Sequence, residues 1–202
     1  MIRFDRVTFG YRGEKPVIRD FSLEIPNGTR VCLFGPSGEG KTTVLRLLLG
    51  LEKPRRGRIT GTDGLHFSAV FQEDCLIPER TVLENVALFS DEEAAASVLT
   101  ELGLGDVLDS LPGELSGGQR RRAALTRALA HPFDVLVLDE ALTGLDDDSV
   151  RRCLTAIDRT VGERTLVMVT HDRTHAAELG AQILEISNTG KSTRSGESGR
   201  AL

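Results

Sequence analysis

A glycine-rich segment near the start of the chain has the residue types and spacing of a phosphate-binding loop. It follows the pattern G-x-x-x-x-G-K-T, with the candidate residues Gly35, Pro36, Ser37, Gly38, Glu39, Gly40, Lys41, Thr42 and Thr43. Glycines let the backbone turn its N–H groups inward, and the N-terminus of a following helix adds a positive dipole end. Lys41 would neutralise the β- and γ-phosphates, and the Thr42 hydroxyl would bind Mg²⁺. The segment therefore predicts a nucleoside triphosphate site rather than a turn that serves chain geometry alone.

Two adjacent carboxylates end an apolar run later in the chain. The run DVLVLDE closes with Asp139 and Glu140, and ligands bind at the carboxyl ends of strands in open α/β sheets. Successive strand residues point in opposite directions, so Asp139 is predicted to bind the metal and Glu140 to act as a base on an attacking water. Taken alone, an acidic pair at a strand end is more often a helix cap or a solvated edge. The phosphate-binding pattern favours the catalytic interpretation because it requires a partner carboxylate.

The order of strand and helix patterns predicts an α/β fold. The first third of the chain alternates or is continuously apolar, as in IRFDRVTF, FSLEIP and RVCLFG, which is typical of strands. Later apolar runs alternate with helical patterns, which predicts a mostly parallel sheet covered on both faces. Ser90 and Glu93 have capping-box spacing and predict a helix that stops near Gly103. We expect one domain over residues 1–187 and a disordered polar tail over residues 188–202.

Composition and charge narrow the classes of function. The 202 residues include 25 Lys and Arg against 30 Asp and Glu, a formal net charge of −5. Such a chain has no global positive field, and its consecutive arginines at 120–122 lie about 100° apart on a helix, so a nucleic-acid-binding stripe is not expected. No apolar run has the length of a membrane span, and no signal-peptide segment is present. We expect a cytoplasmic protein in which Cys32, Cys75 and Cys153 are buried free thiols.

Four further motifs accompany the phosphate loop and the carboxylate pair. They are VFQED around Gln72, LSGGQ at residues 115–119, LTGLD ending at Asp146 and VTHD around His171. With these motifs in this order, the chain resembles the ATP-binding subunits of ABC transporters over residues 2–187. The resemblance implies a RecA-like P-loop NTPase core with an N-terminal antiparallel β-lobe and an α-helical lobe inserted at about residues 74–130. It also implies ATP and Mg²⁺ as cofactors.

The resemblance assigns a role to each matching position. Tyr11 is similar to the aromatic that stacks on adenine, with an ordinary strand-edge tyrosine as the alternative. Gln72 is similar to the glutamine that reaches Mg²⁺ and the water, and His171 to the histidine that contacts the γ-phosphate and orients the base. The implied catalytic set is Glu140, His171 and Gln72, and the implied metal ligands are Thr42, Gln72 and Asp139. The residues implied to contact ATP on a second subunit are Ser116, Gly117, Gly118 and Gln119.

The resemblance implies partners as well. It indicates a head-to-tail dimer that ATP closes and hydrolysis reopens, with a homodimer expected and a heterodimer left open as the alternative. This dimer would move transmembrane permease subunits from the inner face of the cell membrane. An extracytoplasmic substrate-binding protein is a further expected partner, and nucleic acid is not. A soluble assembly ATPase, of the iron–sulfur scaffold or cell-division type, shares every motif and stays open as the alternative. A DNA-repair or translation ATPase would show a long coiled-coil insertion or two ATP-binding halves, and we expect neither in 202 residues.

Two departures from the family pattern bear on local structure and on substrate. The family usually has a proline after the catalytic glutamate, whereas Ala141 follows Glu140 here, which puts the local turn in question. The segment FQEDCLIPERTVLENVAL is similar to that of importers of the nitrate, sulfonate and taurine type, although Glu79 and Arg80 replace an aromatic. The resemblance therefore indicates an importer of this group.

Overall fold

The computed structural model describes residues 1–13, 15–186 and 193–194. Its strands are β1 (Ile2–Phe9), β2 (Ile18–Ile25), β3 (Arg30–Phe34), β4 (Arg56–Thr60), β5 (Phe67–Val70), β6 (Val135–Asp139), β7 (Thr165–Val169), β8 (Gln182–Glu185) and β9 (Thr193–Arg194). Its α-helices are α1 (Lys41–Leu48), α2 (Val82–Val86), α3 (Glu92–Glu101), α4 (Gly117–Ala130), α5 (Asp147–Val161) and α6 (Arg173–Glu178), and short 3₁₀ helices span Ala87–Phe89, Gly105–Val107 and Pro112–Glu114.

The described chain forms two compact units, Met1–Leu65 with Glu163–Leu202, and His66–Gly162. The predicted helical lobe at about residues 74–130 falls within the second unit. The prediction of a single domain over residues 1–187 stays a prediction. The predicted disordered tail, residues 188–202, lies outside the described residues apart from β9.

The first unit contains an antiparallel sheet with the strand order β2-β1-β4. Its buried face follows the alternation of β1, where Ile2, Phe4, Val7 and Phe9 are all buried. The spacing between Phe4 and Val7 breaks the period of two because the register with β2 and with β4 shifts there. Arg6 lies in this irregularity with a φ of 47°, as expected where a bulge inserts a residue and re-aims the chain.

The first unit also contains parallel strands built from the predicted apolar runs. β3 pairs in parallel with β7 on one side and with β8 on the other. The centre of β3, residues 31–33, is buried, and all of β7 is buried as well. Continuous burial of this kind explains why these runs show no alternation, since both faces of a parallel sheet are covered.

The second unit packs helices on one another beside a parallel strand pair, β5 with β6. The apolar face of α4 is buried as its pattern predicts, at Ala124, Leu125, Ala128 and Leu129. A separate cluster joins α2, α3 and the start of α4 around Val82, Val86, Ala95, Leu99, Leu104, Leu115 and Ala123. Burial of these side chains holds the two ends of the helical segment together.

Two predictions about single residues in this unit are wrong. The cap of α3 is Asp91 rather than Ser90, because the Asp91 carboxylate accepts from the backbone N–H of Ala94 at 2.8 Å. Ser90 instead ends the preceding 3₁₀ helix with an extended backbone. The expectation of three buried thiols fails at Cys75, which is exposed, while the other two cysteines are buried.

No helix within the described residues, 1–13 and 15–186, is long and apolar enough to cross a bilayer.

Candidate active site

The phosphate loop lies between β3 and α1 in the first unit, as predicted. Its glycines are required by the surrounding chain at two positions in particular. A Cβ atom at Gly35 would stand 2.9 Å from the backbone oxygen of Ile186, and one at Gly40 would stand 2.5 Å from Cδ1 of Ile18. Gly40 also has a φ of 85°, a left-handed conformation that disfavours other residues. Packing within this chain therefore fixes the shape of the loop.

Lys41 opens α1 and lies across the mouth of the loop. Its side chain is largely buried, with 7% of the residue exposed, and its Nζ donates to the backbone oxygens of Gly35 and Pro36, both at 2.8 Å. These two carbonyls hold the ammonium group against the loop. The arrangement places a cation beside the N-terminus of α1, which suits a polyphosphate.

The N-terminus of α1 is chemically suited to an anion. Its cap residue, Gly40, makes no side-chain capping hydrogen bond, and its first turn contains no acidic residue. Thr42, in that first turn, is exposed, whereas Thr43 is buried against the unit. The Thr42 hydroxyl is therefore available to a ligand, and hydroxyl oxygen is among the hard donors that Mg²⁺ accepts. The exposed residues of the loop itself are Pro36, Ser37 and Gly38, and Glu39 is half-buried.

Tyr11 lies in the same unit, just after β1. The residue is 38% exposed, and its ring contacts Phe9 edge to face, with the ring centroids 5.1 Å apart. The Arg55 guanidinium donates to the backbone oxygen of Tyr11 at 2.6 Å. One edge of the aromatic ring is thus fixed while part of its surface remains open to a planar ligand.

His171 follows β7, at the same edge of the parallel strands as the phosphate loop. Leu33 of β3 pairs with Val169 of β7, so the two loops leave the carboxyl ends of neighbouring parallel strands. Asp172 then caps α6 by accepting from the backbone N–H of Thr174 at 2.8 Å. Hydrogen bonds from the hydroxyl and the backbone amide of Thr174 lower the pKa of Asp172. The cap fixes the turn that carries the exposed imidazole.

Asp139 ends β6 in the second unit and Glu140 follows it, and the two carboxylates differ in their surroundings. Asp139 is 2% exposed. Glu140 has a φ of 53°, which is unusual for a residue with a side chain. A turn follows in which the Thr143 N–H donates to the Glu140 carbonyl at 3.1 Å and the Thr143 hydroxyl donates to Oε2 at 3.1 Å. The turn therefore closes with Ala141 in the position where the family usually has a proline.

Gln72 leaves the strand next to that carboxylate pair. Val70 of β5 pairs with Leu138 of β6, so the Gln72 loop and the two carboxylates start from one edge of the second unit. Thr42 offers a hydroxyl oxygen, Gln72 an amide oxygen and Asp139 a carboxylate oxygen. Oxygen donors of these kinds fit Mg²⁺. No cluster of three or more His, Cys, Asp or Glu residues that suits a metal is found within the described part of the chain.

Ser116 caps α4 and begins the LSGGQ helix. Its hydroxyl accepts from the Gln119 N–H at 3.2 Å, while the Gln119 side chain accepts from the Ser116 N–H at 2.8 Å, a reciprocal capping box. Ser116 and Gly117 are exposed, and Gly118 and Gln119 are half-buried. A Cβ atom at Gly117 or Gly118 would meet nothing closer than 3.5 Å. This chain's own packing therefore does not require either glycine.

The arginines that follow LSGGQ have a role that the sequence did not indicate. The Arg121 guanidinium donates to the backbone oxygens of Phe71 and Gln72. The Arg127 guanidinium donates to the backbone oxygen of Cys75 at 2.9 Å, and burial lowers the pKa of Arg127. The partners lie about 50 positions away in sequence, so no local pattern could have revealed them.

The predicted site residues divide between the two units. Tyr11, the phosphate loop and His171 belong to the first unit, and Gln72, the LSGGQ residues, Asp139 and Glu140 belong to the second.

Comparison with known proteins gives consistent matches along most of the chain. The model of the family described as ABC transporter matches residues 18–143. The chain is 39% identical over 199 residues to the aliphatic sulfonates import ATP-binding protein SsuB 1 of Rhodococcus jostii (strain RHA1), covering 94% of this chain and 81% of that protein. It is 42% identical over 188 residues to the probable sulfate/thiosulfate import ATP-binding protein CysA of Chlorella vulgaris, covering 83% and 79%.

A solved structure is also similar to this chain. It is a dimeric ATP-binding cassette in a post-hydrolysis state, bound to ADP and Pi. The TM-score is 0.85 at 28% identity, and the match covers 96% of this chain and 98% of the other.

Proposed function

Because this chain belongs to the ABC transporter family, we propose that it is the ATP-binding and ATP-hydrolysing subunit of an importer. Its fold is the RecA-like P-loop core with an antiparallel sheet that the sequence predicted. The observation that carries the proposal is the phosphate loop, in which Lys41 and an uncapped helix N-terminus converge. Both curated relatives are import subunits, which favours a transporter over a soluble assembly ATPase.

We propose that the loop binds the triphosphate by exchanging partners at Lys41. The Nζ group donates to two loop carbonyls, and phosphate oxygens of higher charge would replace them as acceptors. The amides of the loop and of the first turn of α1 add donors and a positive dipole end. Tyr11 would stack on the base, supported by its edge-to-face contact with Phe9.

The proposed metal ligands are Thr42, Gln72 and Asp139. The chemistry that Mg²⁺ supplies when bound is neutralisation of charge on the β- and γ-phosphates. Glu140 would accept a proton from the attacking water, and His171 would orient that water and contact the γ-phosphate. The Thr143 hydroxyl donates to the Glu140 carboxylate at 3.1 Å. This hydrogen bond supports the assignment because it limits the directions in which the carboxylate can point.

We propose that the site is completed by a second copy of this chain. Gly117 and Gly118 are glycines that this chain's packing does not require, so their small size is explained by close approach of another molecule. Ser116 and the first-turn amides of α4 would bind the γ-phosphate held by that copy. The dimeric state of the structurally similar cassette supports this arrangement.

The remaining partners follow from the relatives. We propose that transmembrane permease subunits on the inner face of the cell membrane are moved by ATP-driven closure, and that a substrate-binding protein delivers the cargo. The names of the relatives support an organic sulfonate or a sulfur oxyanion as that cargo. Purification of the tagged chain from native membranes tests these partners. Permease subunits should co-purify with the tagged chain, and recovery of the chain without any membrane protein would contradict the proposal.

Replacement of the proposed base tests the hydrolytic function. We expect Glu140→Gln to lower the ATP hydrolysis rate by about a hundredfold or more, since general base catalysis contributes on that order. Binding of ATP should persist, because the phosphate loop is unchanged. Glu93→Gln, at an exposed position on α3, is the matched control and should leave both quantities unchanged. Equal hydrolysis by Glu140→Gln and the original chain would remove Glu140 from the mechanism.

A further inference from the structure

Arg121 ties the Gln72 loop to the helix that begins with LSGGQ. Its Nη1 donates to the Phe71 oxygen at 2.7 Å and its Nη2 donates to the Gln72 oxygen at 2.5 Å. Those two carbonyls are consecutive in the chain and directly follow β5. The planar guanidinium presents donors in a fixed fork, so it can bind two successive carbonyls and define the orientation of the peptide between them.

The surroundings of Arg121 strengthen this contact. The side chain is only 12% exposed, and its Nη1 lies 3.2 Å from Oδ1 of Asp74, which is itself 23% exposed. Little water therefore competes for the guanidinium, and the ion pair fixes the far end of the loop as well as its start. Arg127, six residues further along α4, donates to the backbone oxygen of Cys75 at 2.9 Å and to the backbone oxygen of Asp74 at 3.4 Å.

The backbone of the loop shows why such support is needed. Cys75 has a φ of 49°, a conformation that costs free energy in a residue with a side chain and persists only when surrounding contacts hold it. The two arginines thus hold residues 71–75 in a shape that the loop would not retain alone. Both project from one helix, so the loop and α4 form one rigid element.

We propose that Arg121 is a positioning residue for ATP hydrolysis, which fixes the backbone of Gln72 relative to the N-terminus of α4. This inference rests on the proposed function, in which Gln72 contacts Mg²⁺ and the water while Ser116 contacts the γ-phosphate on a second copy. Arg121 itself contacts Gln72 only at the backbone oxygen, and no contact with Mg²⁺, the water or the phosphate is assigned to it. Its effect is to make two reacting contacts move together, because it joins the loop that carries one to the helix that carries the other.

A double-mutant cycle in ATP hydrolysis tests the proposal with the full chain. We expect Arg121→Met and Gln72→Ala each to lower kcat by on the order of tenfold, since misplacement of a positioning group by about 1 Å has effects up to a hundredfold. If Arg121 acts through Gln72, the kcat of the double variant should match that of the slower single variant within about twofold. Effects that multiply to about a hundredfold would overturn the proposal.

Two comparisons separate positioning from general destabilisation. Arg121→Lys keeps the charge beside Asp74 and should restore part of kcat, with the KM for ATP unchanged within about twofold. Arg151→Met removes an arginine from α5 whose side chain is 70% exposed, and it should leave kcat unchanged. A KM for ATP that rises in Arg121→Met by as much as kcat falls would contradict a positioning role.

Hydrogen exchange without nucleotide tests the contact independently of activity. We expect backbone amides within residues 71–75 to exchange about tenfold faster in Arg121→Met, with α4 unchanged, because only the support of the loop is lost. Equal loss of protection along α4 would show a purely structural role and overturn the inference. If the original chain hydrolysed no ATP, the proposed function would fail, while exchange in the loop would still decide whether Arg121 holds it.

Discussion

Two pairs of helices in this chain begin in different ways. The α1 helix starts at Gly40 without a side-chain cap and α4 starts behind Ser116, and neither has an acidic residue in its first turn. The α3 and α5 helices instead start at Asp91 and Asp146, each with two further acidic residues in the first turn. A carboxylate at a helix N-terminus uses the positive dipole end for stability and repels phosphate. The difference indicates which helix ends are left for a ligand.

The α5 helix shows the closed kind of N-terminus in detail. The Asp146 carboxylate accepts from the Ser149 backbone N–H at 2.9 Å and from its hydroxyl at 2.7 Å. These hydrogen bonds lower the pKa of Asp146. The carboxylates at residues 146–148 would repel a bound anion, so this N-terminus is structural.

Exchange of caps between the two kinds of helix should have a large effect on activity and almost none on stability. We expect Ser116→Asp to lower ATP hydrolysis by about a hundredfold, because the new carboxylate repels the γ-phosphate on the second copy and removes a donor. The free energy of unfolding should stay within about 0.5 kcal/mol, since Ser and Asp are comparable N-caps. Steady-state hydrolysis and urea denaturation measure the two quantities.

The reverse exchange on α3 is the matched control. Asp91→Ser should leave both hydrolysis and stability nearly unchanged, since α3 contacts no nucleotide in the proposed mechanism. A loss of hydrolysis in Asp91→Ser equal to that in Ser116→Asp would show that cap chemistry does not distinguish the two kinds of helix.

The glycines that precede α1 and open α4 should respond in opposite ways to a methyl group. Gly40→Ala should lower the free energy of unfolding by about 2–3 kcal/mol, because it adds left-handed strain and a contact with buried Ile18. Gly118→Ala should leave it unchanged or raise it by up to about 1 kcal/mol, because alanine favours helix. Denaturant titration of both variants measures the difference.

Gly38→Ala separates strain from contact in that experiment. Gly38 has the same φ as Gly40, 85°, yet a Cβ atom there would meet nothing within 4 Å. Its loss of stability should therefore be about 1 kcal/mol smaller than that of Gly40→Ala. Equal losses of stability for Gly40→Ala and Gly118→Ala would contradict the prediction, because packing within this chain would then not distinguish the two glycines.

Local patterns predicted most of the fold and the candidate residues of the site. The phosphate loop and the strand that ends at Asp139 were predictable because each is a short segment whose spacing follows from backbone geometry. The cap of α3 was misplaced by one residue because Ser90 and Asp91 are both good caps, and the choice depends on how the preceding 3₁₀ helix ends. Caps one residue apart differ little in sequence signal.

Contacts between distant segments were beyond such patterns. The helical spacing of residues 120–122 argued against a nucleic-acid-binding stripe and indicated no partner for Arg121 or Arg127. Their partners are backbone carbonyls at residues 71–75. Carbonyls are present at every position, so nothing in the sequence marks the ones that an arginine will bind. The same holds for the bulge at Arg6, whose left-handed backbone follows from strand register rather than residue type.

The left-handed backbone at Glu140 gives this chain a trade-off between thermal stability and the proposed hydrolysis of ATP. Glycine or asparagine would accept a φ of 53° with less strain, so the most stable residue for that position is not the one present. Selection for thermal resistance alone would tend to remove the carboxylate, and under the proposed mechanism the resulting cassette would fold well but hydrolyse ATP slowly. Efforts to stabilise this protein by consensus or by screening should therefore keep position 140 fixed and seek their gains elsewhere.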